Sequence, residues 1–130
     1  MLTVLISSSV RYPVNRKVIR RAATDTISRN TIGDISAEIS VAVVGERKMS
    51  ELTQKYLSSH AIPEVLSFPL EDPSAERFIN PPDGVLRLGD VVLCWPRVLL
   101  AAERDGVMVD DEVYLLTSHA VEHLLGKHHE

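Results

Sequence analysis

Leu2 to Ser7 is short, apolar and rich in branched residues, a pattern that predicts a strand entering a sheet. Arg11-Tyr-Pro-Val follows as a turn. From Arg16 to about Arg29 the period changes: Val18, Ile19, Ala22, Ala23 and Ile27 form one apolar stripe, the arginines fall largely elsewhere, and Asn15 stands where an N-cap belongs. Thr31-Ile-Gly-Asp breaks this first helix. Ala37 to Val44 then alternates, with Ile39, Val41 and Val43 on one face and Glu38, Ser40 and Ala42 on the other, which predicts a half-buried strand. Gly45 ends it, and Arg47 to Ser59 spaces Met49, Leu52 and Tyr56 as a second helix.

Pro63 to Pro69 is a strand bracketed by prolines, which suits a sheet edge because proline cannot donate to the ladder, and an edge can receive an extended polymer. Leu70 to Gly84 has no periodicity and reads as a long surface loop. Leu86 to Cys94 resumes as a strand with a turn or bulge at Gly89-Asp90, and its last residues are apolar on both sides, hence interior. Pro96 starts a short helix through Arg104, and Asp105-Gly106 ends it. Asp110 or Asp111 caps a last helix containing Val113 to Leu125, whose early acidic residues suit its dipole. The order β-α-β-α-β-loop-β-α-α predicts one layered α/β or α+β domain over residues 1–130, without an internal repeat.

With 45% apolar residues in 130, the chain can bury a sizeable core. No apolar run approaches the ~18 residues that span a bilayer, and the first residues lack the basic start and cleavage site of a signal peptide, so the expectation is a cytoplasmic protein with no membrane partner. Cys94, the only cysteine, excludes an intrachain disulfide and reads as a small buried hydrophobe. The net charge of −4 hides an asymmetry: residues 1–30 hold six basic side chains against Asp25 alone, while the remainder holds eight basic and seventeen acidic groups. Arg16, Lys17, Arg20 and Arg21 are therefore candidate phosphate contacts on the first helix, with an ordinary solvated helix face as the plainer alternative.

Metal chemistry is written into the last dozen residues. His119 and His123, four apart, leave the same helix face one turn from each other, so two imidazole nitrogens can meet one ion. Gly126 stands where a left-handed residue stops a helix, and the chain beyond it can return His129 as third ligand; His128 is the alternative, and a polar tail is the reading without a metal. Three imidazoles leave a fourth tetrahedral position open, the arrangement of a catalytic site. The same stretch fits H-x-x-E-H, but that pattern takes its third ligand far downstream and seven residues follow His123, which favours His129. Glu122 lies about 60° around the helix from His119, within range of a metal-bound water or turned to solvent.

His119-x3-His123-x5-His129 with Leu124-Leu125-Gly126 resembles the H-G-x-L-H-L-x-G-Y-D-H signature of the YbeY family of bacterial ribosomal RNA maturation endoribonucleases. Val65-Leu-Ser-Phe-Pro69 and Leu88-Gly-Asp-Val-Val92 resemble that family's V-L-S-F-P and L-G-D-I-V segments, in the same order, so the likeness runs from about Leu52 to His129. The resemblance implies a mixed four-stranded sheet flanked by helices and one ion, usually zinc with another divalent transition metal as the alternative, held by His119, His123 and His129. It further implies cleavage of single-stranded RNA during maturation of the small ribosomal subunit, with ribosomal RNA, the subunit and its assembly factors as partners. Ser67, within the matching strand, is then a candidate substrate contact beside Glu122 as candidate base; the plainer reading of Ser67 is a strand residue bonded to its neighbours. Leu57 follows Tyr56 where the family has an arginine. That departure opens two alternatives: a catalytically weakened RNA-binding assembly factor with a structural metal site, or a metal-dependent hydrolase of another substrate.

Overall fold

The structure, a computed structural model, describes residues 1–9, 11–30, 36–70 and 84–126. Its elements run β1 (Leu2–Ser8), α1 (Arg16–Asn30), β2 (Ser36–Val44), α2 (Glu46–Leu57), β3 (Val65–Pro69), β4 (Val85–Cys94), α3 (Trp95–Asp105) and α4 (Val109–Leu124). The strands form one mixed sheet in the order β1-β2-β4-β3, with β1 and β4 parallel to β2 and β3 antiparallel to β4. The domain is thus the mixed four-stranded α+β layer expected. The expected break at Thr31 to Asp34 and nearly all of the Leu70 to Gly84 loop lie outside the described residues.

Alternation decides which residues of β2 reach the core: Ala37, Ile39, Val41 and Val43 are buried and their neighbours are not. They meet the stripe of α1, where Val18, Ile19, Ala22 and Ala23 are buried, and the apolar side of α4 at Val113, Ala120, Val121 and Leu124. Full burial of an Ile or Leu side chain contributes about 1.5–3 kcal/mol, so this face holds most of the fold's stability. The other face is thinner. Met49 of α2 packs there on Val92 and Cys94 of β4, with Leu52, Leu66 and Phe68 around them. Cys94 is buried as expected, and burial pushes its thiol above the usual cysteine range.

Local signals set most boundaries. The Lys17 amide donates to Asn15 Oδ1 at 3.1 Å, the cap expected for α1. Pro96 occupies the first turn of α3, where its missing N–H costs nothing. The bulge in β4 lies where Arg87 pairs with Glu38 and Gly89 with Ile39, so Leu88 is the extra residue. Two ends differ from expectation. Helix α2 stops at Leu57, because Ser58 takes a left-handed φ of 50° and its N–H returns to Thr53 O. Helix α4 starts at Val109 rather than after an aspartate cap: the Glu112 amide bonds to Met108 O, and Asp110, Asp111 and Glu112 all lie within the first turn. Acidic side chains there complement the exposed N–H groups without capping them directly.

Candidate functional site

Strand β3 is the sheet edge opposite β1, as its prolines suggested, and α4 packs against it. Between the two lies a cavity of about 430 Å3, lined by Val65, Leu66, Ser67, His119, Ala120 and His123. Its size is that of a small-ligand site. Helical spacing gives His119 and His123 a common face, and burial of Ala120, Val121 and Leu124 against the sheet fixes which way that face turns. Both histidines are exposed at the cavity mouth. Strand alternation sends Phe68 to the α2 side, where its ring lies 5.3 Å from that of Tyr56, and leaves Ser67 on the cavity wall.

Beyond α4 the chain turns as the sequence predicts. Gly126 has φ 81° and its N–H bonds to His123 O at 3.0 Å. His128 and His129 lie outside the described residues, and no group of three metal-ligating side chains occurs among those described. The donors present suit a transition metal: two imidazoles one helical turn apart, opening on one cavity, a set soft enough for zinc and too poor in oxygen for calcium or magnesium. Glu122 is half-buried and is not among the described residues lining the cavity; its backbone carbonyl accepts the Leu125 amide.

The basic residues of α1 stand elsewhere. Arg20 Nη1 donates to Val4 O at 2.7 Å and Arg16 Nη1 to Ile6 O at 3.2 Å, both on the β1 edge, while the Arg21 guanidinium sits 5.6 Å over the Tyr114 ring. Lys17 is exposed and makes no ion pair among the described residues. Arg16 and Arg20 reach the β1 edge while the histidine cavity lies at the opposite, β3 edge of the sheet, and none of the four basic residues lines that cavity. Lys55 of α2 holds its ammonium 5.1 Å over the ring of Tyr56, which in turn lies against Phe68 of β3. Composition along α1 gave no hint of this arrangement, whereas Lys55 stands two residues from the Leu57 position that the motif comparison singles out. Leu57 is 54% exposed.

The family model "Endoribonuclease YbeY" matches residues 7–130. A curated relative named endoribonuclease YbeY from Roseiflexus castenholzii is 32% identical over 117 residues, covering 90% of this chain and 72% of the relative. Its namesake from Dehalococcoides mccartyi strain BAV1 is 29% identical over 136 residues, covering 99% and 84%. One from Anaeromyxobacter sp. is 34% identical over 130 residues, covering 99% and 62%. Among solved structures, that of TM1509 from Thermotoga maritima superposes with a TM-score of 0.58 at 20% identity, over 100% of this chain and 75% of the other, a likeness of fold. By its match along nearly its whole length, the chain belongs to the endoribonuclease YbeY family.

Proposed function

We propose that this protein is a metal-dependent endoribonuclease that cleaves single-stranded RNA in the maturation of small-subunit ribosomal RNA. The observation that carries the reading is that Ser67, His119 and His123, three residues of the family motifs, line one cavity. His119 and His123 would hold one zinc ion, or another divalent transition metal, with His129 from beyond the described residues as the third imidazole. When bound, the ion supplies Lewis-acid polarisation of a phosphodiester oxygen and a water of lowered pKa. The protein's own groups do the rest: the Ser67 hydroxyl donates a hydrogen bond to a phosphate oxygen, and Val65 and Leu66 wall the cavity on the strand side. Lys55, over Tyr56 on the α2 side of β3, supplies positive charge. Glu122 flanks the histidine face and takes a proton through a water. Substrate class and setting come from the family, and the cytoplasm follows as the compartment of ribosomal RNA. No helix among the described residues is long and apolar enough to cross a membrane.

A second reading draws on Leu57. An exposed leucine where the family carries arginine favours an RNA-binding assembly factor whose cleavage is weakened. The test is cleavage of an end-labelled single-stranded RNA by untagged protein, with chelator and with metal added back. Cleavage that stops with chelator and returns with metal supports the nuclease. RNA binding without cleavage at any metal concentration supports the assembly factor.

A further inference from the structure

A second cavity, about 640 Å3, opens where the start of α4 meets the end of α3 and the middle of α1. Four carboxyl groups line it, Asp25, Asp105, Asp111 and Glu112, against the single guanidinium of Arg21. Most of these groups are already engaged. Tyr114 Oη donates to Asp25 Oδ2 at 2.6 Å, Arg21 lies over the Tyr114 ring, and Arg104 donates through Nε and Nη2 to the Asp105 carboxylate at 3.0 and 3.2 Å. Asp111 is exposed and makes no ion pair among the described residues.

Glu112 is the unusual member. It is 2% exposed, its carboxyl lies beside that of Asp105, and its Oε1 has no hydrogen-bond partner among the described residues. A buried acceptor left unsatisfied is costly, so a donor brought to this carboxyl gains more than at its engaged neighbours. Burial, and then the adjacent Asp105, push Glu112 above the usual carboxylate range, while Arg104 and the proton on Glu112 hold Asp105 below it. A metal ion does not suit the lining, since no three metal-ligating side chains converge among the described residues. An organic cation does, because the exposed Val107 and Leu115 give the mouth an apolar wall.

We propose that this cavity binds an alkylammonium group, a primary amine on an apolar stem. The Glu112 carboxyl accepts the ammonium, Asp111 adds its charge at the mouth, and Val107 and Leu115 cover the stem. Glu112 precedes His119 by seven residues on α4, about 10 Å at the helical rise, so the site is separate from the histidine cavity. The same chemistry can come from a free diamine or from a lysine side chain of a bound protein.

The test is NMR titration of isotope-labelled protein with putrescine, with Nα-acetyl-lysine methylamide and with butanol as the uncharged control. Saturable shifts at the amides of Val107, Asp111, Glu112 and Leu115 are expected with an amine and not with butanol, with a Kd below about 1 mM. Glu112→Gln should weaken binding about 10-fold, and Asp111→Asn, an exposed change on the first turn of α4, about 3-fold. Response to putrescine alone identifies a free amine as the source. Response to the lysine derivative identifies a protein side chain. No saturable response to either amine, an equal response to butanol, or binding unchanged in both variants overturns the proposal.

Discussion

Ser67 on the edge strand β3 and His119 on α4 line the same cavity, although they belong to different elements. Two independent patterns put them there: alternation along β3, which separates Ser67 from Phe68, and the 3.6-residue period of α4, which separates His119 from the buried Val121. Neither pattern is a catalytic signal by itself. Their convergence on one space is what makes the histidine pair more than a helix face.

The exposed Leu57 at the end of α2 gives the first prediction. Leu57→Arg should leave the unfolding midpoint within error, since a surface change of this kind shifts stability by less than about 0.5 kcal/mol. It should raise the rate of single-stranded RNA cleavage on the order of 100-fold, the usual contribution of one well-placed cationic donor to an anionic transition state. A gain under twofold at unchanged metal content would show that the arginine's role has passed to another group.

Gly89 couples the fold to the site. Its φ is 147°, and a Cβ there would run into the Phe68 carbonyl oxygen and lie 2.8 Å from Leu124 Cδ2 and 2.9 Å from Pro69 Cα. Gly89→Ala must therefore push β3 away from α4. A loss of about 2–4 kcal/mol in urea unfolding is expected, with RNA cleavage falling by more than the folded fraction accounts for. Wild-type stability in the variant would contradict the packing described.

Arginines at the β1 edge are predicted to serve the fold. Val4 O and Ile6 O face outward from β1, and Arg20 and Arg16 occupy them, blocking an edge that another strand could join. Arg16→Ala/Arg20→Ala should lower stability by about 1–2 kcal/mol and promote self-association by sedimentation. Lys17→Ala should change stability by less than about 0.5 kcal/mol. If the double variant is as stable and as monomeric as Lys17→Ala, those arginines are free for phosphate.

Much of this was legible in the chain. The stripe of α1, the alternation of β2, the edge position of β3, the bulge next to Gly89 and the stop at Gly126 all follow from local rules, because each depends on the period or on one residue's backbone preference. The destinations of long side chains do not. That Arg16 and Arg20 reach β1 depends on which strand takes the edge beside α1, a tertiary choice. Glu112 shows the same limit: its place in a helix's first turn suggests an exposed acid, and the tertiary packing around α4 buries it.

That burial sets a pH dependence. Glu112 is held above its ordinary value in the folded protein, so the native state binds more protons than the unfolded chain, and its contribution to stability falls as pH rises from the ordinary glutamate range. Glu112→Gln keeps the shape and a donor to Asp105 without an ionisable proton. Thermal unfolding should find the variant more stable than wild type at pH 7.5, by roughly 3 °C, and the difference should vanish near pH 4. A variant less stable at pH 7.5 would mean that Glu112 is ionised and paired in the folded state.

His119 and His123 are proposed to hold a metal ion in the cavity beside Ser67, and elemental analysis of protein purified without a metal-binding tag tests this most directly. About one transition-metal ion per chain is expected in the wild type, lost in His123→Ala while the variant stays folded by circular dichroism. Wild-type protein that holds no metal, even after loading with zinc and removal of excess, would contradict it.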